Sequence, residues 1–272
     1  MIRLVRIELN KLLNYRPFKV LSILYAFILI FVPIIILEIM KWLQSLADGA
    51  DFDGVNIMKV PVFHFPDIWQ NLSFVSTFSE IILALIMIMM VTNEFSFKTV
   101  RQNVIDGFDR KDFFISKVLT AVMLSLASTI ILFLVCIVVG LIYSPEIDMS
   151  RMFKYVEFIP AYFLEVFAYL SFALLVGFLI KRTAFAIILM LFYGGIQGVV
   201  IGILRNILPS SFDPVYEYFP TRGISHLVPF PFARYYFQEI QDYVSIQWLI
   251  ITIVYIAIFL YLSYLRLRKS DL

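Results

Sequence analysis

The sequence is poor in the residues that build polar chemistry. Its one cysteine, Cys136, sits inside an apolar run, so no disulfide framework can form within one chain. Its two histidines, His64 and His226, stand far apart; with a single thiol they give no ligand set for a structural zinc site. Charge is scarce as well. Asp, Glu, Lys and Arg make up 15% of the 272 residues, apolar types make up 61%, and mean hydropathy is +0.90. A soluble domain carries about 25% charged and roughly 45–50% apolar residues. Too little polar surface is available to coat a globule of this size. That excludes disorder and an ordinary cytosolic enzyme, and points to a polytopic membrane protein. A net charge of +2 supplies no basic field for nucleic acid. No GxxxxGKS/T phosphate loop, HExxH, GxSxG or paired-cysteine motif occurs, so no enzyme site is recognisable. Both histidines fall in loops and suit an interface better than catalysis, because a catalytic dyad needs a positioned partner.

What the sequence does have is long apolar runs. About 20 helical residues cross a hydrocarbon core roughly 30 Å thick. Six runs qualify, at about 20–40, 74–93, 118–143, 159–180, 183–204 and 243–265. They are continuous, without the alternation of a β-barrel wall. The expected fold class is therefore all-α integral membrane, with one transmembrane domain over 1–272. The first run holds Pro33 and Glu38, the second Glu80 and the fourth Glu165; the other three are uncharged. With the N-terminus inside, 15 of the 22 lysines and arginines fall on the inner side. The positive-inside rule then places both termini in the cytoplasm. A cleaved signal peptide fits poorly: the first apolar run is too long and no small-residue cleavage site follows it.

Residues 1–16 read as an amphipathic helix lying on the inner surface. Ile2, Val5, Leu9, Leu12 and Leu13 share one face, and Arg3, Arg6, Asn10 and Lys11 the other. Pro17 predicts an elbow into the first span, since the residue before proline disfavours the helical region. Outside, the stretch from about 205 to 242 has five prolines among many aromatics. It is too apolar for a solvated loop and too broken for a span, so short interfacial or re-entrant helices are expected before the last span.

The one dense polar stretch on the inner side is 93–117, NEFSFKTVRQNVIDGFDRKDFFISK. Phe97, Val100, Val104 and Phe108 form a helical stripe, while Lys98, Arg101, Gln102, Asp106 and Asp109 face elsewhere. Glu94 and Lys98 are an i,i+4 pair in the favourable order. Gly107 suits a helix end, and Asp109 with Asp112 suits the start of the next helix. The pattern is a short amphipathic helix slung under the membrane between two spans. A positively charged loop that only fixes topology would read the same way.

This stretch resembles the loop between the second and third spans in the type 2 superfamily of ATP-binding-cassette (ABC) transporter permeases. The matching positions are Glu94, Thr99, Gly107, Arg110 and Lys117. Gly107 stands where a proline is frequent. The amphipathic elbow, the six spans and the broken outer segment are similar too. The resemblance implies a transport subunit of an exporter in a bacterial inner membrane, not an enzyme. It implies a coupling helix over 94–111 that seats in a separate nucleotide-binding ATPase subunit. Glu94, Phe97, Lys98, Thr99, Arg101, Val104, Gly107, Arg110 and Lys111 would carry that coupling. ATP and Mg would belong to the partner ATPase, with no cofactor on this chain. A second permease copy, as a homodimer or with a related chain, would complete the pathway.

Glu80 and Glu165 fall inside expected spans, where an unpaired carboxylate costs on the order of 2–3 kcal/mol. They either line a pathway or pair with Arg205, or else the spans start later and both sit at headgroup level. As a relay they would support a different function, an ion-coupled secondary carrier or channel. Gly194 and Gly198 give the fifth span a close-packing face, for a dimer seam or for packing within the chain.

Overall fold

A computed structural model describes residues 2–47, 63–97, 99, 109–144, 148–231 and 241–270. Among them every regular element is helical and no strand occurs. The order is α1 (Ile2–Asn14), α2 (Arg16–Ala47), α3 (Ile68–Thr77), α4 (Glu80–Ser96), α5 (Arg110–Tyr143), α6 (Met149–Met152), α7 (Phe158–Ile180) and α8 (Thr183–Ile207). A 3-10 turn at Ser210–Phe212, α9 (Asp213–Tyr216), α10 (Pro220–Ser225) and α11 (Ile246–Arg268) complete it. The helices α2, α5, α7, α8 and α11 are long and apolar enough to cross a membrane, and α3 with α4 makes a sixth crossing if the bent pair is one rod.

The centre of the bundle is α7. Apart from Glu165 and Ser171 its apolar residues run all the way round, the pattern of a helix surrounded by other helices, and it packs on α11, α4, α5 and α3. Tyr162, Val166, Leu170, Ala173, Leu174 and Phe178 are fully buried along it. At Gly177 the wall of α7 comes so close to α4 that a Cβ would lie 3.2 Å from Val91 Cβ.

The helix α5 is apolar outward, and inward it is largely polar as far as Thr129 and apolar beyond. Its buried stripe holds Ser116, Lys117, Thr120, Ser125, Ser128 and Thr129, while Leu126, Ile130, Leu134 and Val138 are exposed. Lipid is as apolar as leucine, so packing and hydrogen bonds must hold spans together. Three of the hydroxyls are satisfied within α5 itself, and a fourth, Ser128, bridges to other helices. Thr120, Ser125 and Thr129 donate to carbonyls one turn back, at 2.9, 2.9 and 2.8 Å. Ser128 and the Tyr25 and Tyr162 hydroxyls bond to one another, tying α2, α5 and α7 together. By contrast α8 buries only one stripe, Ala186, Met190, Gln197 and Ile201. The rest of its surface, including Phe185, Leu191, Phe192 and Val199, is exposed.

The second expected span departs from a straight rod. The pair α3 and α4 bends by 43° at Phe78–Ser79. Thr77 Oγ1 donates to Phe74 O at 2.8 Å and Ser79 Oγ to Ser76 O at 2.7 Å. These hydroxyls supply local bonds that compete with the helical ladder, and the chain tightens into three-residue closures at Ser79 and Ile82. Glu80 is thus the first residue of α4, not a mid-helix residue. Trp69, which precedes the second apolar run, is fully buried on α3. It stacks on Phe133 at 5.5 Å and donates to Met152 O at 2.7 Å.

Candidate functional site

Charges that a membrane helix would ordinarily expel are gathered at one end of the bundle. Lys117, in the second turn of α5, is fully buried. Its ammonium lies 2.8 Å from Glu8 Oε2 on α1 and 2.6 Å from Glu94 Oε1 near the end of α4. Lys11 adds a second ammonium, 3.3 Å from Glu94 and 3.6 Å from Glu8. Ser116 Oγ donates to Glu8 at 3.3 Å. Two carboxylates therefore meet two ammoniums, and the cluster is neutral. Burial pushes the Glu8 carboxyl up, but the Lys117 ammonium and its hydrogen bond outweigh that, with Lys11 and Ser116 adding to them. The carboxyl ends below its ordinary value of 4.5.

The same corner holds a cavity of about 470 Å³, walled by Lys11, Leu12, Tyr15, Met90 and Glu94 among others, with Phe97 and Thr99 at its edge. Asn93 Nδ2 donates to the Tyr15 hydroxyl at 2.8 Å, and Thr99 Oγ1 to Glu94 O at 3.2 Å. The break after Asn14 leaves Tyr15 between two helices: α1 ends at Asn14 and α2 starts at Arg16, next to Pro17. The far side of the 98–108 stretch is anchored too. Arg110 Nη1 donates to Arg268 O at 2.7 Å and Ser270 O at 3.1 Å, at the C-terminal end of α11. A cation suits those free carbonyls.

Of the residues expected to carry coupling, Glu94, Phe97, Thr99, Arg110 and Lys111 lie at the two ends of this stretch, with Phe97 and Lys111 exposed. Lys98, Arg101, Val104 and Gly107 lie outside the described residues. Glu8 was not anticipated. Its only sequence signal is position: it stands one turn before Leu12, which is also buried, beside the apolar face. A lone lysine within the buried stripe of α5 is the matching signal for a carboxylate partner.

The other expected carboxylates lie elsewhere. Glu80 precedes Glu94 by fourteen positions along α4, roughly 21 Å at 1.5 Å per residue. Glu80 and Glu165 both line a second cavity of about 270 Å³ between α4, α7, α8 and α10. Arg205 is not with them. It pairs with Asp213 at 3.4 Å and lies over the Tyr216 ring, so the expected pairing with Glu80 or Glu165 is replaced by a local one. Arg222 lines the cavity instead. Among the described residues, Gly194, Gly195, Gly198 and Gly202 have no atom within 4 Å of a built Cβ, so packing among those residues does not use them. Among the described residues no group of three or more His, Cys, Asp or Glu could hold a metal.

A family model described as protein of unknown function (DUF2705) matches residues 56–272. The chain belongs to this family. The match takes in α3 through α11, and so Glu94 and Lys117, while Glu8 on α1 precedes it. No curated protein matches the chain.

Proposed function

We propose that this DUF2705 member is the membrane-spanning permease subunit of an ATP-driven exporter of the ABC type 2 kind. The observation that carries the reading is the buried Lys117, which joins α4 and α5 on either side of the 98–108 stretch to α1. A loop that only set topology needs no such anchor. A loop that receives force does, because a push on 94–111 reaches the spans only if its roots do not yield. Arg110 fixes the same stretch to the end of α11. In this reading 94–111 is the coupling helix, α1 is the elbow on the cytoplasmic surface of a bacterial inner membrane, and both termini are cytoplasmic. The short helices between α8 and α11 form the outer cap. A separate ATPase subunit holds ATP and Mg, and two permease copies enclose the pathway.

The test is co-purification with the nucleotide-binding subunit and measurement of its ATPase rate in the complex. Charge reversal at Glu94 and Arg101 is expected to weaken assembly and uncouple ATPase from transport. Unchanged assembly and coupling on deleting the polar face of 94–111 would end the assignment.

The second reading, an ion-coupled carrier or channel, is favoured by one observation: Glu165 is buried, and its Oε2 has no partner among the described residues. It predicts flux by the purified chain in vesicles under an ion gradient, without ATP. Flux that survives Glu80→Gln and Glu165→Gln together would discard it.

A further inference from the structure

The cavity at the far end of α4 carries more chemistry than either reading uses. Glu165 is 2% exposed, and its Oε2 has no partner among the described residues; Glu80 Oε2 is buried and equally without one. Both residues line the cavity, with Tyr169, Gln197 and Thr221. Thr221 donates to Gln197 at 2.6 Å, which fixes that wall. Arg222 is the cation at hand, but it pairs with Glu217 at 3.4 Å, and Glu217 also meets His226 at 3.0 Å. The cavity carboxylates are thus not matched by Arg222. A buried acceptor without a donor is costly, and a cation placed between the two would relieve both.

Chemistry narrows the cation. A divalent metal wants six or more oxygens and a charged set of ligands, and no acid or histidine joins the pair among the described residues. An ammonium group needs only acceptors for its N–H donors and gains from an aromatic face, which Tyr169 can offer. The cavity, at about 270 Å³, suits a headgroup rather than a whole drug-sized ligand. Its α8 side is open. Gly194 and Gly198 line it without side chains, and Val199 and Ile203 of that helix are exposed. An apolar tail could leave the cavity there and lie along α8.

We propose that this cavity binds an organic ammonium group between the Glu80 and Glu165 carboxylates, with the apolar part of the ligand leaving past Gly194 and Gly198. The site rests on this geometry alone; its use as a station for exported cationic amphiphiles rests on the permease reading.

The test uses the full chain purified in an uncharged detergent, without ATPase or transport, so that its failure is separate from failure of the permease reading. The unfolding midpoint is followed while n-butylammonium chloride is titrated, against butanol, NaCl and KCl at matched concentration. The expected result is a saturable rise with n-butylammonium only, weakened at least tenfold in apparent affinity by Glu165→Gln and by Glu80→Gln. A Cβ at position 198 has no atom within 4 Å among the described residues, so Gly198→Leu removes no carboxylate and narrows the exit. It is expected to weaken n-butylammonium more than methylammonium, and it carries the test if a glutamine variant does not fold. An equal rise with NaCl or KCl would overturn the organic-ammonium site. So would no rise in wild type, or a rise unchanged in all three variants.

Discussion

Lys117 shows how one residue sets the terms for its surroundings. A buried lysine is tolerated because two carboxylates meet it at 2.8 and 2.6 Å, and removing one side of such a pair is far worse than never having built it. Among the described residues, Lys117→Met leaves Glu8 and Glu94 with the half-exposed Lys11 as their one cation and Ser116 as a donor to Glu8. We expect a loss of about 3 kcal/mol, the lower part of the range for a broken buried pair, measured by thermal unfolding in detergent. Adding Glu8→Gln to Lys117→Met is expected to recover part of that loss, because one uncompensated charge goes. A double variant as unstable as the sum of both singles would show that the cluster is not a unit. The pH response has a definite sign. Glu8 has a lowered carboxyl value in the fold, so its contribution is complete above the ordinary value of 4.5 and is lost as pH falls through the lowered one. A fluorophore on Leu13→Cys, an exposed position, should report steady anisotropy from about pH 7 to 5 and loosening of α1 only below that. Glu8→Gln should abolish the step.

Elements were legible to different degrees, for physical reasons. Where spans are expected at 159–180 and 183–204, helices run over Phe158–Ile180 and Thr183–Ile207, because the uninterrupted apolar runs are divided by the charged residues Lys181 and Arg182. The span expected from 118 begins at Arg110. Hydropathy records only the apolar part, while the helix extends beyond it and brings Lys117 into the bundle. The bend between α3 and α4 was not legible. It depends on Thr77 and Ser79 hydroxyls choosing backbone partners, which hydropathy does not record. The close approach of α7 to α4 was not legible either, since a lone glycine in an apolar run has many readings. The neighbour at Gly177 is Val91 Cβ, an atom fixed to its backbone, so it cannot swing aside. Gly177→Val should therefore force the helices apart and destabilise by about 1–3 kcal/mol, as overpacking does. An unchanged unfolding midpoint would mean that the contact is slack.

Across the whole molecule, contacts distant in sequence decide which ends lie together. Lys117 reaches Glu8, Arg110 reaches the carbonyls of Arg268 and Ser270, and Lys181 lies over Phe95 at 5.0 Å. The start of the chain, Phe95 at the end of α4, Arg110 and Lys117 at the start of α5, the α7–α8 turn and the end of α11 thus share one end of the bundle. The charge count alone points to the same grouping, because lysine and arginine are concentrated in those segments. Ser210, past the end of α8, lies a full helix away from that turn. Which end faces the cytoplasm follows from charge: the lysine- and arginine-rich end should stay inside. Cys136 is buried, so single engineered thiols report cleanly. Lys111→Cys and Lys269→Cys, both exposed positions, are expected to resist a membrane-impermeant maleimide on intact cells or right-side-out vesicles and to react once the membrane is opened. Ser210→Cys, also exposed, is expected to react without opening. If Lys111→Cys and Ser210→Cys labelled from the same side, six crossings would be the wrong count. If all three swapped sides, the 94–111 stretch would face away from any cytoplasmic ATPase, and the coupling role would have no partner to serve.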